Sequence, residues 1–219
     1  MTEDSTMTAV HSTRHGHPAN PAMIVPPCWT TPLPMHELFD ATRPLVLDIG
    51  CGKGRFLAMR ASRDPDRNYL GIERQLVRVR KVARKIQRLE LHNARVIRVE
   101  ASYAVEFMIP LHCVSELFVF FPDPWPKARH HKRRTFRPEF LNTLDRILLP
   151  GGSLHVATDH EEYFQVIRDL FEEDDRFEPC TIVAPADDER TEFELLFSAK
   201  GDPVHRCSYA RIRSGRRQE

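Results

Sequence analysis

The stretch LDIGCGKG at residues 47–54 decides the fold of this chain. An apolar run that starts at Pro44 ends beside an acid, Asp48, and three glycines then alternate with other residues before a helical pattern begins. Glycine adopts positive φ without strain and lets the backbone pass close to a ligand. Because α/β proteins bind ligands beyond the carboxyl ends of their strands, this stretch predicts a strand, a ligand-binding turn and a helix in succession.

The spacing of the glycines distinguishes this turn from two phosphate-binding motifs. Gly50, Gly52 and Gly54 form a G-x-G-x-G pattern, whereas a dinucleotide fingerprint reads G-x-G-x-x-G. Lys53 is not part of a G-K-[ST] sequence, which excludes the Walker A motif. With Asp48 two residues ahead of the first glycine, the stretch resembles motif I of class I S-adenosylmethionine-dependent methyltransferases, in which the loop wraps the methionyl and ribose parts of the cofactor. The alternative is a bare tight turn with solvated acids.

Strand and helix patterns alternate through most of the chain. The predicted strands are 44–49, 68–72, 95–99, 115–121 and 153–158. The predicted helices are 54–62, 75–91, 102–109, 137–149 and 160–174. This alternation predicts an α/β, Rossmann-like fold with a mostly parallel sheet and helices on both faces. Two more strands, 177–183 and 203–212, are joined by a long polar stretch that we predict to be a loop and not a helix, so the pair forms an antiparallel C-terminal hairpin.

The composition is that of a globular protein with one domain. The chain has 219 residues, of which 41% are hydrophobic and 29% charged. We expect a flexible extension over residues 1–30, which are polar and contain four prolines, and one domain over 31–219. No apolar run suits a membrane helix, no secretory signal is expected, and the five scattered cysteines indicate no metal site. A cytoplasmic location is therefore expected, as a monomer or a homodimer.

The charge is segregated although its net value is only +1. Residues 127–137 read KARHHKRRTFR, with six Lys and Arg and no acid, while acids gather at 161–178. Residues 74–88 are also basic, but this can be the exposed side of an ordinary helix. Segregated charge makes a local field even when the total is close to zero, which favours a nucleic-acid partner.

Acids also end the second and third predicted strands. A carboxylate at Glu73 can accept hydrogen bonds from both ribose hydroxyls of the cofactor, as in dinucleotide folds. Glu100 stands where it can approach the adenine. Together with Asp48, these acids at three successive strand ends favour a cofactor site over a bare turn at residues 50–54.

The fourth predicted strand runs into FFPDPWPKARH at residues 120–130. Two prolines flank Asp123 and stiffen its backbone, so the direction of its carboxylate is fixed where the methyl group should lie. The motif F-P-D-P-W-x-K-x-R-H, followed by K-R-R, is similar to that of the tRNA (guanine-N7-)-methyltransferase family. Further matches to that family are Ala157-Thr158-Asp159, Thr191–Glu194, Lys200-Gly201 and Pro203–Arg206, so the resemblance covers about residues 44–212.

The resemblance implies an activity and a set of site residues. S-adenosylmethionine would be the methyl donor and N7 of a guanine in tRNA, at position 46 of the variable loop, the acceptor. The cofactor would be held by Asp48, Gly50, Gly52, Gly54, Glu73, Glu100 and Asp123, and Asp123 would also be the catalytic residue. The tRNA substrate would be bound by Lys127, Asp159, Thr191, Glu192, Phe193 and Glu194. The chain departs mildly from the family at Asp48 and Glu100, where the family often has Glu and Asp or Asn.

The basic run suggests the same partner independently. It closely follows the fourth predicted strand and Asp123 beyond its end, so Arg129, Lys132, Arg133 and Arg134 can contact the tRNA backbone around a base placed there. The alternative is a solvated loop. Other functions that stay open are a class I methyltransferase acting on another RNA, a protein or a small molecule, and a non-catalytic RNA-binding module.

Overall fold

A computed structural model describes residues 20–212 and shows an eight-stranded sheet in the order β1-β4-β3-β2-β5-β6-β8-β7. The strands are β1 (Met23–Ile24), β2 (Leu45–Ile49), β3 (Asn68–Glu73), β4 (Ala94–Arg98), β5 (Val114–Phe120), β6 (Leu148–Thr158), β7 (Phe177–Pro179) and β8 (His205–Arg211). The helices are α1 (Met35–Leu38), α2 (Arg55–Arg63), α3 (Leu76–Arg88), α4 (Ala101–Tyr103), α5 (Pro138–Ile147), α6 (Glu161–Glu172) and α7 (Glu192–Lys200). A π-helical turn, Ala104–Met108, extends α4, and a 3-10 helix spans Ala128–Arg133.

The predicted parallel sheet is confirmed. Strand β2 pairs in parallel with β3 on one side and with β5 on the other, and all five of its residues are buried. Successive side chains of the strand point to opposite faces of the sheet, so Leu47 packs in one hydrophobic cluster and Val46 in the other. A strand that is apolar on both faces needs cover on both, and helices supply it.

The order of the strands places a crevice in the middle of the sheet. From β2 the chain moves outward through β3 to β4, and it then returns to place β5 on the other side of β2. The loops that follow β2 and β5 therefore diverge from neighbouring strand ends. Such a switch point is where open α/β sheets bind their ligands.

The edge of the sheet formed by the C-terminal strands is antiparallel as predicted, but the connection between β7 and β8 contains a helix. Strand β8 pairs antiparallel with both β6 and β7. The prediction of a loop without a helix is wrong, since α7 begins after Thr191, whose hydroxyl accepts from the Glu194 N–H, and ends at Gly201 with φ +78°. These cap residues were visible in the sequence. No helical periodicity accompanied them, because α7 leaves apolar residues such as Leu195 and Leu196 exposed.

Two other elements differ from their predicted form. Strand β6 begins at Leu148, directly after α5, and its pairing with β5 shifts where Pro150-Gly151-Gly152 adds a bulge. A Cβ on Gly152 would lie 2.9 Å from the carbonyl oxygens of Leu149 and Val114, so the bulge needs glycine there. The predicted helix 102–109 is a short α-helical turn that continues as the π-helical turn.

The opposite edge of the sheet is formed by residues close to the start of the described chain. Strand β1 pairs in parallel with β4 through Met23 and Ile24, and the neighbouring Ala22 is buried. The sequence pattern does not predict this strand, because two residues are too few for a periodicity. Residues 1–19 of the predicted extension lie outside the described residues, and the domain boundary at residue 30 stays a prediction.

Candidate active site

A cavity of about 680 Å³ opens at the carboxyl ends of β2, β3, β4 and β5. Four of the residues predicted to hold the cofactor line it, namely Gly50, Glu73, Glu100 and Asp123. Four residues predicted to serve the substrate line it as well, namely Lys132, Arg133, Arg134 and Phe193. Two sets of residues that are distant in sequence thus meet at the switch point of the sheet.

The glycine loop connects β2 to α2, and each of its three glycines has a left-handed backbone conformation. Gly50, Gly52 and Gly54 have φ of +72°, +56° and +67°. A Cβ at Gly54 would also lie 2.8 Å from both methyl carbons of Val82 in α3, so this glycine permits the close approach of two helices. Gly50 lines the cavity, whereas Gly52 and Gly54 shape the turn behind it.

Asp48 lies at the end of β2 and is 4% exposed. Its Oδ2 is buried and has no hydrogen-bond partner among residues 20–212. Burial, with added repulsion from Glu73 and Glu192, raises the pKa of Asp48 to about 7. A buried carboxylate without a partner is costly, and a cationic ligand or a hydroxyl donor beside it would relieve the cost.

Glu73 ends β3 and is 5% exposed, yet it faces the cavity. Its Oε1 accepts the Gln75 N–H at 2.8 Å, and its Oε2 lies 3.5 Å from Nη1 of Arg78. These contacts orient the carboxylate and leave lone pairs for a ligand. The sequence does not single out Gln75, and it leaves open whether the basic side of α3, to which Arg78 belongs, is functional or an ordinary solvent face.

Glu100 lies beyond β4 on the same edge of the sheet. Its side chain caps α4, accepting the Tyr103 N–H at 2.9 Å, and it is exposed to the cavity. With Glu73, it gives the cavity two acids at the ends of the neighbouring strands β3 and β4.

Asp123 lies on the other side of the cavity, in the segment that follows β5. The backbone of this segment is unusual, because Phe121 and Trp125 have φ of +53° and +42°. Positive φ at such residues costs about 1–3 kcal/mol each and persists only where the surroundings enforce it. Phe121 is tied to β6 by its N–H, which donates to the carbonyl of Ala157 at 2.7 Å.

The basic run forms the outer wall of the cavity. Lys132 and Arg133 are exposed, and the guanidinium of Arg133 lies 5.0 Å from the ring centroid of Trp125. Lys127 and Arg129 are exposed too, but they lie outside the cavity lining. Arg134 differs from these side chains, since it is 4% exposed and already has partners within the protein.

The segment at the start of α7 completes the rim. Phe193 is 44% exposed, lines the cavity and lies 6.5 Å from Phe121, centroid to centroid. Thr191 caps the helix, and Glu194 is buried with its Oε1 2.5 Å from Nη2 of Arg206. Glu192 influences Asp48 electrostatically but, like Thr191, Glu194 and Asp159, is not among the described residues that line the cavity.

A pair of arginines anchors the loop before α7. Arg63 of α2 lies 2.6 Å from Asp188 and 3.1 Å from Glu189, and Arg60 lies 3.6 Å from Glu189. Glu189 is 1% exposed, whereas Arg60 and Arg63 are partly exposed, so only the carboxylate end of these ion pairs is shielded from solvent. This contact connects the rim at Thr191 to the helix that follows the glycine loop.

These residues fit S-adenosylmethionine. The volume is within the usual range of small-molecule sites. The unpartnered oxygen of Asp48 and the oriented carboxylate of Glu73 suit a ligand that carries cationic groups and ribose hydroxyls. The open left-handed loop at Gly50 lets the backbone contact such a ligand closely.

The fold and the site together define a class I S-adenosylmethionine-dependent methyltransferase. The model of a family described as "Putative methyltransferase" matches residues 42–207. A tRNA (guanine-N(7)-)-methyltransferase of Halorhodospira halophila is 41% identical over 177 residues, covering 78% of this chain and 77% of its own length. The chain belongs to the family of tRNA (guanine-N(7)-)-methyltransferases, which confirms the resemblance inferred from its motifs.

A second relative supports the family assignment, and a solved structure supports the fold. The enzyme of the same name from Brevibacillus brevis is 36% identical over 180 residues, covering 78% of this chain and 82% of its own length. Among solved structures, the 16S rRNA methyltransferase KamB superposes with a TM-score of 0.61 at 17% identity, covering 81% of this chain and 92% of that one. At this identity the structural similarity concerns the fold alone.

Residues 20–212 offer neither a metal-binding cluster nor a membrane-spanning helix. No group of three or more His, Cys, Asp or Glu in this range could hold a metal ion. None of the helices in it combines the length and the apolar character that crossing a membrane requires.

Proposed function

We propose that the protein transfers a methyl group from S-adenosylmethionine to N7 of a guanine in tRNA, at position 46 of the variable loop. The observation that carries the proposal is the meeting of two surfaces in one cavity. The acids Glu73 and Glu100 line one side, and Asp123, Lys132 and Arg133 line the other. The relatives described above bear the name of this activity.

Guanine N7 determines what the residues of the site must do. It carries a lone pair and no proton, so no general base is needed to activate it. The bound cofactor supplies an electrophilic methyl group on a sulfonium. The protein must therefore hold the guanine in line and exclude water, and alignment of this kind contributes several kcal/mol, up to roughly 7–11.

Asp123 is the residue that we assign to this alignment. Guanine presents its N1–H and its amino group on the edge away from N7, and a carboxylate that accepts from that edge turns N7 toward the methyl group. Asp123 lines the cavity, whereas Asp159 and Glu194, the acids among the residues that the resemblance assigns to the tRNA substrate and that could make the same contact, are outside its lining. Glu194 is also engaged by Arg206.

The electrostatics of the cavity favour an RNA substrate over an uncharged one. Among the described residues that line it, six are basic: Arg74, Arg78, Lys132, Arg133, Arg134 and Arg137. Three are acidic: Glu73, Glu100 and Asp123. A basic wall beside an acidic cofactor site attracts a polyanion, while a protein or small-molecule methyltransferase would not need it. A cytoplasmic location and a monomeric or homodimeric state stay predictions from the sequence.

Nucleoside mass spectrometry tests the proposal. The protein is incubated with tRNA and labelled cofactor, and the digested tRNA should contain labelled 7-methylguanosine. A tRNA with 7-deazaguanine at the target position should bind but accept no methyl group, because the attacking nitrogen is missing. Methyl incorporation into the deaza substrate would contradict N7 as the target, and labelling of rRNA in preference to tRNA would favour another RNA.

A further inference from the structure

Arg134 departs from its neighbours in the basic run. The side chains of Arg129, Lys132 and Arg133 are exposed, but Arg134, immediately after the 3-10 helix, is buried. A phosphate ligand is expected to meet exposed cations, which can follow the backbone of the nucleic acid. Burial of a single member of the run therefore indicates a different role.

The contacts of Arg134 join two parts of the molecule. Its Nε donates to the carbonyl of Pro124 at 2.7 Å, and its Nη2 donates to Oε1 of Glu162 at 3.1 Å. Its guanidinium carbon lies 4.8 Å from the ring centroid of Tyr163. Glu162 and Tyr163 belong to α6, so Arg134 bridges this helix and the segment that carries Asp123.

The α6 end of this bridge is rigid. Tyr163 is fully buried, and its hydroxyl accepts the Phe136 N–H at 3.1 Å. The ring of Tyr163 also lies 6.3 Å from that of Phe136, centroid to centroid, within the main hydrophobic cluster. Arg134 is thus held against a fixed surface, and its hydrogen bond to the carbonyl of Pro124 fixes that carbonyl relative to α6.

The segment at the other end needs such an anchor. Pro122 and Pro124 fix their own φ but have no N–H, so they cannot tie the segment down by donating hydrogen bonds. Phe121 and Trp125 hold left-handed conformations on either side of them. The carbonyl of Pro124, directly after Asp123, is the acceptor through which Arg134 holds this backbone.

From these contacts we infer that Arg134 is a positioning residue, which holds the carbonyl of Pro124 and thereby orients the carboxylate of Asp123 in the cavity. The inference rests on the proposed role of Asp123. The planar guanidinium reaches Pro124 and Glu162 at the same time while stacking on Tyr163. An ammonium keeps the charge but has no such fork, so Lys cannot replace Arg here.

Replacement of Arg134 by Lys separates this role from phosphate binding. With saturating tRNA and cofactor, the single-turnover rate of Arg134→Lys should fall at least about tenfold, whereas its Kd for tRNA and the salt dependence of that Kd should stay within about twofold of wild type. Arg168→Lys is the matched control, because Arg168 also pairs with a glutamate of α6, Glu172 at 2.8 Å, away from the cavity. A wild-type rate, or a changed salt dependence with an unchanged rate, would overturn the inference.

Two further variants cover loss of folding and test the connection to Asp123. If thermal unfolding shows that Arg134→Lys is not folded, Glu162→Gln decides, since Glu162 is exposed. It should lower the rate about threefold at unchanged tRNA affinity, and an unchanged rate would overturn the inference. The double variant Asp123→Asn/Arg134→Lys should lose no more rate than Asp123→Asn alone.

The outcome of that cycle distinguishes two failures. Full additivity of the two rate losses would mean that Arg134 acts elsewhere, and it would contradict this inference alone. A wild-type rate in Asp123→Asn by itself would contradict the proposed role of Asp123, and the inference with it.

Discussion

The two sides of the cavity are built in different ways. On the cofactor side, Glu73 lines the cavity and Asp48 lies outside its lining, but both are buried at the ends of paired central strands, so the register of the sheet fixes them. On the substrate side, Asp123 and Lys132 are exposed in the segment between β5 and α5, which a few long-range contacts hold. Substitutions on the first side should therefore change stability and cofactor binding, and those on the second should change turnover and tRNA binding.

The largest effect is expected from a methyl group at the base of the glycine loop. In Gly54→Ala the positive φ costs about 1–2 kcal/mol, and the 2.8 Å approach to Val82 adds overpacking of about 1–3 kcal/mol. The free energy of unfolding, measured with denaturant, should fall by the sum of these two costs, and cofactor binding should be lost. Gly201→Ala is the control, since Gly201 has φ +78° but a Cβ there would meet no atom within 4 Å. Equal losses in the two variants would show that the contact with Val82 does not matter.

A second effect on the cofactor side depends on pH. The pKa of Asp48 is raised to about 7 by burial and by Glu73 and Glu192, from an ordinary value of 3.8. Between these values the native state binds more protons than the unfolded state, so stability is present at low pH and is lost as the pH rises to 7. Each unit of pKa shift is worth about 1.4 kcal/mol. The stability advantage of Asp48→Asn over wild type should therefore grow from about pH 4 to about pH 7 and then level off.

Urea unfolding of both proteins at about pH 5 and about pH 8 measures this difference. At the higher pH, Asp48→Asn should bind the cofactor more weakly than wild type does, because the variant lacks the carboxylate that a cationic ligand would neutralise. A stability difference that does not change with pH would show that Asp48 titrates normally.

A crossed pair of variants sharpens the comparison between the two sides. Glu73→Ala should weaken cofactor binding by about 0.5–3 kcal/mol, since it removes an acceptor of ribose hydroxyls. Asp123→Asn should lower kcat at least about tenfold, or about 1.4 kcal/mol, with a smaller change in cofactor affinity. Calorimetry and single-turnover rates give the two readouts. The comparison fails if each variant affects both readouts equally.

The pH dependence of turnover tests whether Asp123 handles a proton. Because N7 has no proton to lose, the rate from about pH 6 to about pH 9 should not be controlled by an ionisation of Asp123. A single ionisation that controls the wild-type rate and disappears in Asp123→Asn would identify Asp123 as a base.

The smallest effect is expected on the outer wall. Replacing Lys127, Lys132 and Arg133 by Ala should lower the slope of log K against log salt for tRNA by up to about three units, if each contacts a phosphate. Cofactor affinity should not change. Arg168→Ala serves as a control for the loss of a remote positive charge. An unaltered salt dependence would show that these side chains are solvated and do not contact the phosphates of tRNA.

Local patterns predicted most of the cofactor side. Strand β2, the glycine loop and α2 are contiguous, and their conformations follow from a short apolar run and from the freedom of glycine. Glu73 was predicted as a ligand because it ends a strand, and it lines the cavity. Helix α7 is not predicted. Its cap residues are recognisable in the sequence, but its exposed apolar residues follow no helical periodicity.

The substrate side shows what tertiary structure alone decided. The sequence established the basic run, the prolines around Asp123 and the family motif, all of which are local. It grouped Arg134 with its neighbours because they carry the same charge. Only the fold brought Pro124 and Glu162 to Arg134, across 10 and 28 positions of sequence, and buried the guanidinium between them. A residue's charge is encoded locally, but its partners depend on which distant segments the sheet and helices bring together.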